Sequence, residues 1–405
     1  MSAKTLAYAK GFVLCCTLLV IGLGAGCILF DTEPVFDTAS AAKLQASLDS
    51  SVTDLEVPGA VMAVRNPDGA VWIGTSGCAQ IGSDVSGRTA QDGSDVAMSY
   101  DMHFHIGSIT KTFTATIILQ LVDEGEISLD ETIDQVIQEW LPNYFDFTIP
   151  YSDSITVRNL LEMRSGMGNY SFDSKFMQDI DSNPLTKWDP KTLIQYGVES
   201  ENTPAYPPDT KFEYNNGNYI LLGIFIEQIT DNTFADEVSE RIIKPLGLIN
   251  TSVPSDPSMP APYAHGYIYD DENNELLDAS TATDPSWGWA AGSINSTASD
   301  LLTWVKALVD GTLVSSTMQQ ERMTMQEADI EDFTVFYGLG IYSDNGAIGH
   351  GGNYSNFYTA YAVRYKNYDF ATLVNGKLQQ TGESVHVPAR SVFWNAAQAI
   401  GLDGQ

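Results

Sequence analysis

Basic residues are scarce in this chain. Twenty lysines and arginines stand against 52 acidic residues among 405, a formal net charge of −32 at pH 7. A nucleic-acid binder is thereby excluded, because phosphate recognition needs basic stripes that displace counterions. The same field repels anionic membranes and polyanionic substrates, so a ligand is expected to be neutral, cationic or locally shielded. The acid excess also points to a salty environment, where screening relieves self-repulsion; a melting temperature that fell in molar KCl would contradict that. Histidine is limited to five residues and no H-E-x-x-H occurs. His103-Phe104-His105 sets two imidazoles on one face of a strand, but no further ligands follow at metal-site spacing, so packed histidines are expected and no metal. A glycine-rich phosphate loop is missing too. Cysteine amounts to Cys15, Cys16, Cys27 and Cys78. Three of these fall in the first 27 residues, which leaves no internal disulfide framework.

Long apolar runs are also absent, with one exception. Lys4 and Lys10 precede an uncharged stretch over residues 11–30, and Asp31 follows at once. This pattern predicts a signal peptide or membrane anchor over residues 1–26. The small residues Gly24, Ala25 and Gly26 before Cys27 resemble the lipobox of prokaryotic lipoproteins, with the usual leucine displaced to Leu23. Cys27 is thus a lipidation candidate, and the expected location is extracytoplasmic, tethered to the membrane by lipid or by an uncleaved helix, or secreted if simply cleaved.

What remains is 43% apolar overall, enough for a sizeable core. Residues 27–41 read as an acidic tether, and Leu44, Leu48, Val52 and Leu55 then give helical spacing up to Pro58-Gly59. Residues 60–64 and 70–73 are strand-like around the turn Asn66-Pro67-Asp68-Gly69. Helical runs are expected at 112–122, 157–162, 219–229 and 235–243. Strands return at 338–342, 347–350, 358–365 and 370–374, and a helix at 389–400 closes the chain. Strands at both ends with helices between predict a mixed α/β (α+β) protein: one antiparallel sheet flanked by helices, with an inserted all-helical domain. The α/β part is expected over about 42–107 and 290–402, the helical part over about 108–289.

Ser108-Ile109-Thr110-Lys111 opens an apolar helix with serine and lysine on one face. A helix N-terminus favours a developing alkoxide, and an amine of lowered pKa can take the hydroxyl proton. The signal alone is weak. With 34 serines and 12 lysines, on the order of one S-x-x-K match arises by chance, and Ser40-Ala41-Ala42-Lys43 is a second, meaningless one. Two further motifs decide the matter, Tyr214-Asn215-Asn216 and then His350-Gly351-Gly352.

On these three motifs residues 42–402 resemble the serine β-lactamase and D-alanyl-D-alanine carboxypeptidase superfamily, with its penicillin-binding protein-like, class C-like branch nearest. The resemblance implies a β-lactamase/transpeptidase-like fold and a serine hydrolase that forms an acyl-enzyme at Ser108. Lys111 is then a general base or electrostatic partner, and Tyr214 shuttles the proton. Asn216 holds the substrate amide, and His350, Gly351 and Gly352 lie on the strand flanking the cleft, where substrate docks as an extra strand. The backbone N–H groups of Ser108 and Asn353 form the oxyanion hole. No cofactor is implied, and Trp287 and Trp289 either line the cleft or pack.

The third motif departs from the family. Gly351 replaces the usual Thr or Ser, and residues 339–343 offer no Arg to grip a substrate carboxylate, leaving Lys377 or a loop arginine to compensate. Losing a charge-assisted hydrogen bond costs about 1.5–3 kcal/mol. Three functions therefore compete: a D-alanyl-D-alanine carboxypeptidase-like or β-lactamase-like hydrolase, a serine esterase or amidase acting on an uncharged substrate, and a non-catalytic binding protein. The last is disfavoured because Ser108, Lys111 and Tyr214 are all present.

Overall fold

A computed structural model describes residues 34–82, 95–270, 275–330, 333–378 and 388–402. The expected leader over residues 1–26, with Cys15 and Cys16, and the lipidation candidate Cys27 lie outside the described residues. Among the described residues no helix is long and apolar enough to cross a membrane.

The acidic tether expected over 27–41 ends early. Asp37 accepts the Ser40 N–H at 2.7 Å and caps a helix over Thr38–Asp54, so residues 38–41 are helical. Thirteen strands follow: β1 (Gly59–Arg65), β2 (Val71–Gln80), β3 (Val96–Ala97), β4 (Phe104–His105), β5 (Tyr267–Asp270), β6 (Glu275–Asp278), β7 (Asn295–Ser296), β8 (Gln326–Ile330), β9 (Phe333–Tyr337), β10 (Tyr342–Asp344), β11 (Ala347–Tyr354), β12 (Tyr358–Tyr365) and β13 (Tyr368–Val374). Nine of them form one antiparallel sheet in the order β3-β2-β1-β13-β12-β11-β10-β9-β8. The two ends of the chain meet at its centre, where Ala60 pairs with Val374 and Arg65 with Asp369. The β1–β2 turn forms as its sequence predicts: Asn66 Oδ1 accepts the Ala70 N–H at 2.8 Å, and Gly69 takes φ +90°.

β1 and β12 are buried almost along their whole length, which requires cover on both faces. The Thr38–Asp54 and Pro388–Ala399 helices pack together and supply one cover, and the Ala298–Asp310 helix supplies the other. The helical region carries Thr110–Glu124, Asn216–Thr230 and several shorter helices. It is not all-helical as expected, because β5 and β6 pair within it, from Tyr267↔Asp278 to Asp270↔Glu275. The expected 235–243 helix is split into an α-helical Phe234–Val238 and a π-helical Ser239–Ile243.

The strand expected at 338–342 is displaced to Tyr342–Asp344. Gly338 and Ile341 close a turn instead, with Gly340 at φ +71° against the nucleophile helix: a Cβ there would lie 2.5 Å from Ala115 Cβ. The mostly polar β8 and the aromatic-rich β9 extend the sheet beyond it, outside the strands expected from the sequence.

Candidate active site

Ser108 sits in a 3-10 turn, Gly107–Ile109, that leads into the helix Thr110–Glu124. Gly125 in the left-handed conformation ends that helix. Gly107 and Ile109 are buried while Ser108 is only half-buried, so the hydroxyl is offered to the cleft. One turn on, Lys111 is fully buried, and its Nζ lies 2.9 Å from Ser108 Oγ and donates to the Ala291 carbonyl at 2.7 Å. The segment bearing Ala291 is pinned to the same helix, because Thr114 Oγ1 donates to Ala290 O at 2.6 Å and Ile294 N–H donates to Thr110 Oγ1 at 3.1 Å. Burial drives the Lys111 amine well below its ordinary pKa. Lowering the pKa of an amine 2.9 Å from a hydroxyl suits it to exchange a proton with that hydroxyl. The chance match Ser40–Lys43, by contrast, lies on a helix with Lys43 exposed.

Tyr214 is half-buried and precedes the Asn216–Thr230 helix, which Asn215 caps by accepting the Gly217 N–H at 2.7 Å. Lys111 Nζ stands 4.9 Å from the centroid of the Tyr214 ring. Asn216 occupies the first turn of that helix, with its Nδ2 donating to Ser171 Oγ at 3.0 Å. The loop Arg164-Ser165-Gly166 supports this wall: Ser165 Oγ donates to Asn218 Oδ1 at 2.7 Å, and a Cβ on Gly166 would meet Tyr206 O at 2.1 Å.

The opposite wall is β11. β10 pairs with it only from Ala347 to Gly349, so residues 350–354 present an edge that β10 does not cover. A Cβ on Gly352 would lie 1.9 Å from Ile106 O and 3.1 Å from Ser108 N, and one on Gly107 would lie 2.7 Å from Asn353 N. Strand and nucleophile turn therefore touch backbone to backbone, and only glycine fits at either position. This contact brings the amides of Ser108 and Asn353 to the same end of the cleft, while the Asn353 side chain bonds Asn356.

His350 is buried and neutral. Burial lowers its pKa to about 3, partly countered by the Gly351 carbonyl at its Nδ1, and nearby Lys111 lowers it further. With Nδ1–H donating to that carbonyl, Nε2 accepts from the Tyr337 hydroxyl at 3.3 Å. Gly351 faces Tyr342, whose hydroxyl would be 2.7 Å from a Cβ at 351. The motif's missing Thr or Ser is thus a matter of space already filled.

Other candidates lie elsewhere. Lys377 stands beside Leu378, whose N–H binds Glu56 O past the end of β13, and Arg164 reaches Glu327 O at 3.4 Å. Trp289 packs on Gly223 and Phe234, whereas Trp287 faces Tyr354 with ring centroids 5.6 Å apart. His103 Nδ1 bonds Pro262 O at 2.8 Å and His105 stacks on Tyr354 at 4.1 Å, and no cluster of three or more His, Cys, Asp or Glu side chains able to hold a metal gathers among the described residues. Sequence reasoning missed Tyr342, Tyr337, Ser171 and the Ala291 carbonyl. A backbone acceptor carries no side-chain signal.

Comparison with known proteins fits this geometry. The family model described as Beta-lactamase matches residues 44–389. Among curated proteins, Penicillin-binding protein 4* of Bacillus subtilis is 25% identical over 276 residues, covering 65% of this chain and 58% of that one. Penicillin-binding protein 4 of Amycolatopsis lactamdurans is 30% identical over 208 residues, 51% of this chain and 48% of its own. The chain thus spans about half the length of these curated relatives. Among solved structures, a D-stereospecific amidohydrolase from Streptomyces sp. is 30% identical with a TM-score of 0.72, covering 89% of this chain and 98% of that one. A D-amino acid amidase from Ochrobactrum anthropi shares the fold at 23% identity and a TM-score of 0.74, over 90% and 99% of the two chains.

Proposed function

The chain belongs to the beta-lactamase family of serine hydrolases, and from that premise we propose that it is an amidohydrolase that cleaves short amides of D-configured acyl groups through a Ser108 acyl-enzyme. The observation that carries this reading is the neutrality of the third-motif wall. His350 holds no charge near pH 7 and Gly351 has no hydroxyl, so a substrate carboxylate finds no ion pair there. The likeness to the Streptomyces D-stereospecific amidohydrolase over nearly its full length supports the same substrate class.

The chemistry follows from the geometry. Lys111, its pKa lowered by burial, draws the Ser108 proton as Oγ bonds the substrate carbonyl carbon. The N–H groups of Ser108 and Asn353 hold the resulting oxyanion. Tyr214, over Lys111, carries the proton to the departing nitrogen as the C–N bond breaks. Water then attacks the ester by the reverse proton path, releasing the acid and restoring Ser108. Asn216, steadied by Ser171, holds the acyl-side amide.

A carboxypeptidase-like or β-lactamase-like activity is the second reading, favoured by the curated relatives named penicillin-binding proteins. One experiment separates the two. The protein is assayed on D-alaninamide and, by intact mass, after brief mixing with a penicillin, with Ser108→Ala alongside. Ser108-dependent release of ammonia without a lasting penicillin adduct is expected. A Ser108-dependent penicillin adduct with no amide turnover would replace the amidase reading by the second one. The proposal includes the extracytoplasmic, membrane-tethered location read from residues 1–30; Cys27→Ser without loss of lipid labelling would remove its lipid form.

A further inference from the structure

Tyr214 returns the proton to the departing nitrogen, so in the mechanism above the leaving group sits on the Tyr214 side of the cleft. The β11 wall faces Tyr214 there with His350 and Tyr342, whose rings lie 4.8 Å apart, His350 standing 6.4 Å from Tyr214. Tyr342 begins β10 opposite Gly349, and its side chain runs along β11 to Gly351. It is 3% exposed. Its hydroxyl lies against Gly351, 2.7 Å from where a Cβ at 351 would stand, and a phenol O–H can donate one hydrogen bond. Arg390 is held bidentate by Asp344, at 2.6 and 3.0 Å, and Asp344 also accepts from Tyr361. The Arg390 charge is thus answered within the fold, and what Tyr342 adds to the wall is an uncharged hydroxyl.

We propose that Tyr342 is the specificity-determining residue of the leaving-group subsite: its hydroxyl fills the volume of a side chain at 351 and donates one uncharged hydrogen bond to a carbonyl acceptor on the leaving group. The inference rests on the amidohydrolase reading for its direction and deepens it. Leaving groups that carry a neutral acceptor one residue beyond the scissile nitrogen are favoured, so a D-dipeptide amide is a better substrate than the same dipeptide with a free carboxylate.

The test compares wild type with Tyr342→Phe on D-alanyl-D-alaninamide and on D-alaninamide, whose ammonia leaving group offers no acceptor. Loss of one neutral hydrogen bond corresponds to roughly five- to tenfold. Tyr342→Phe should raise KM for the dipeptide amide by about that factor and leave D-alaninamide within twofold. In the Tyr342→Phe background, Gly351→Ser should recover the loss, whereas Gly351→Ser alone crowds Tyr342 and lowers turnover of both substrates. Calorimetric titration of Ser108→Ala with D-alanyl-D-alaninamide, with and without Tyr342→Phe, reads the same contact without chemistry. Tyr342-dependent binding without wild-type turnover would sink the amidohydrolase reading and leave the subsite standing. Equal affinity in the two proteins, no binding to either, or equal loss on both substrates overturns the role of Tyr342, even where the double variant fails to fold.

Discussion

Replacing Gly352 by alanine tests the backbone contact on which the oxyanion hole depends. The added Cβ would lie 1.9 Å from Ile106 O, 2.9 Å from Ile106 C and 3.1 Å from Ser108 N. Carbon and carbonyl oxygen approach comfortably at about 3.3 Å, so a gap of roughly 1.4 Å must open. Neither side yields easily. β11 is held by β12 through Gly352↔Ala360, and Ile106 N–H is bonded to Ile294 O at 2.9 Å. The displacement therefore falls on the distance between the Ser108 and Asn353 amides. Misplacement by about 1 Å, or loss of one oxyanion donor, costs on the order of 10² to 10³ in rate. We expect kcat on an activated ester or a D-amide to fall by about that factor, with circular dichroism and the thermal midpoint showing a folded protein. Gly351→Ala is the control, since its Cβ meets the tip of a side chain, Tyr342 Oη at 2.7 Å, which can swing aside; a loss under about tenfold is expected. A Gly352→Ala protein within threefold of wild type would refute the reasoning.

Lys111→Arg puts a permanent cation there that cannot take a proton, so acylation should fall by at least about 10³-fold; retention of more than a tenth of the rate would argue for a purely electrostatic Lys111. His105 and His350 are both held neutral by burial, with pKa lowered from 6.5 to about 3. Between those values the unfolded chain binds more protons than the folded one, so stability rises with pH and is lost on acidification below about 6.5. At pH 4.5 each buried imidazole should cost roughly 2 to 3 kcal/mol relative to pH 7. Urea unfolding at the two pH values measures it, and His105→Phe, which keeps the stack on Tyr354, should flatten the difference; an unchanged difference counts against it. Asp344 is fully buried and accepts from Arg390, Tyr361 and Trp394. Asp344→Ala leaves Arg390 unpaired and should destabilise by about 3 to 5 kcal/mol in the same assay, against less than 1 if the network is ornamental.

The contact between Ser108 and Lys111 was legible because both lie on one short segment. Ser108 and Lys111 fall one turn apart by spacing alone, and the apolar run after them shows that the turn is buried. The closing of the sheet by the two termini was legible for a similar local reason: strand runs and the Asn66–Gly69 turn are strong signals. β8 was not. Its residues, Gln326-Glu327-Ala328-Asp329-Ile330, are mostly polar and only Ala328 is buried, so pairing with β9 rather than composition makes the strand. The displaced strand at 338–342 has a longer-range cause, since Gly340 bends to admit Ala115 of the nucleophile helix. Tyr342 escaped for the same reason. Its meaning depends on a diagonal contact with Gly351 across a strand register, and no spacing rule within one segment reports that.

Charge in the site is governed by burial and by the exclusion of acids, although the chain carries 52 of them. Lys111 is met by a hydroxyl and a carbonyl, and desolvation is what moves its pKa. A carboxylate in place of Ala291 O would favour the ammonium form, and an ammonium cannot take the Ser108 proton. His350 follows the same rule: it rests on a carbonyl and a phenol, so its proton count is fixed near neutral pH. Burial thus weakens the hold of Lys111 on its proton and keeps His350 neutral near pH 7. In the proposed reaction the new charge is that of the oxyanion, which the Ser108 and Asn353 amides are proposed to hold. A carboxylate on the substrate would bring a second charge into a wall that has no group to answer it, whereas an amide brings none.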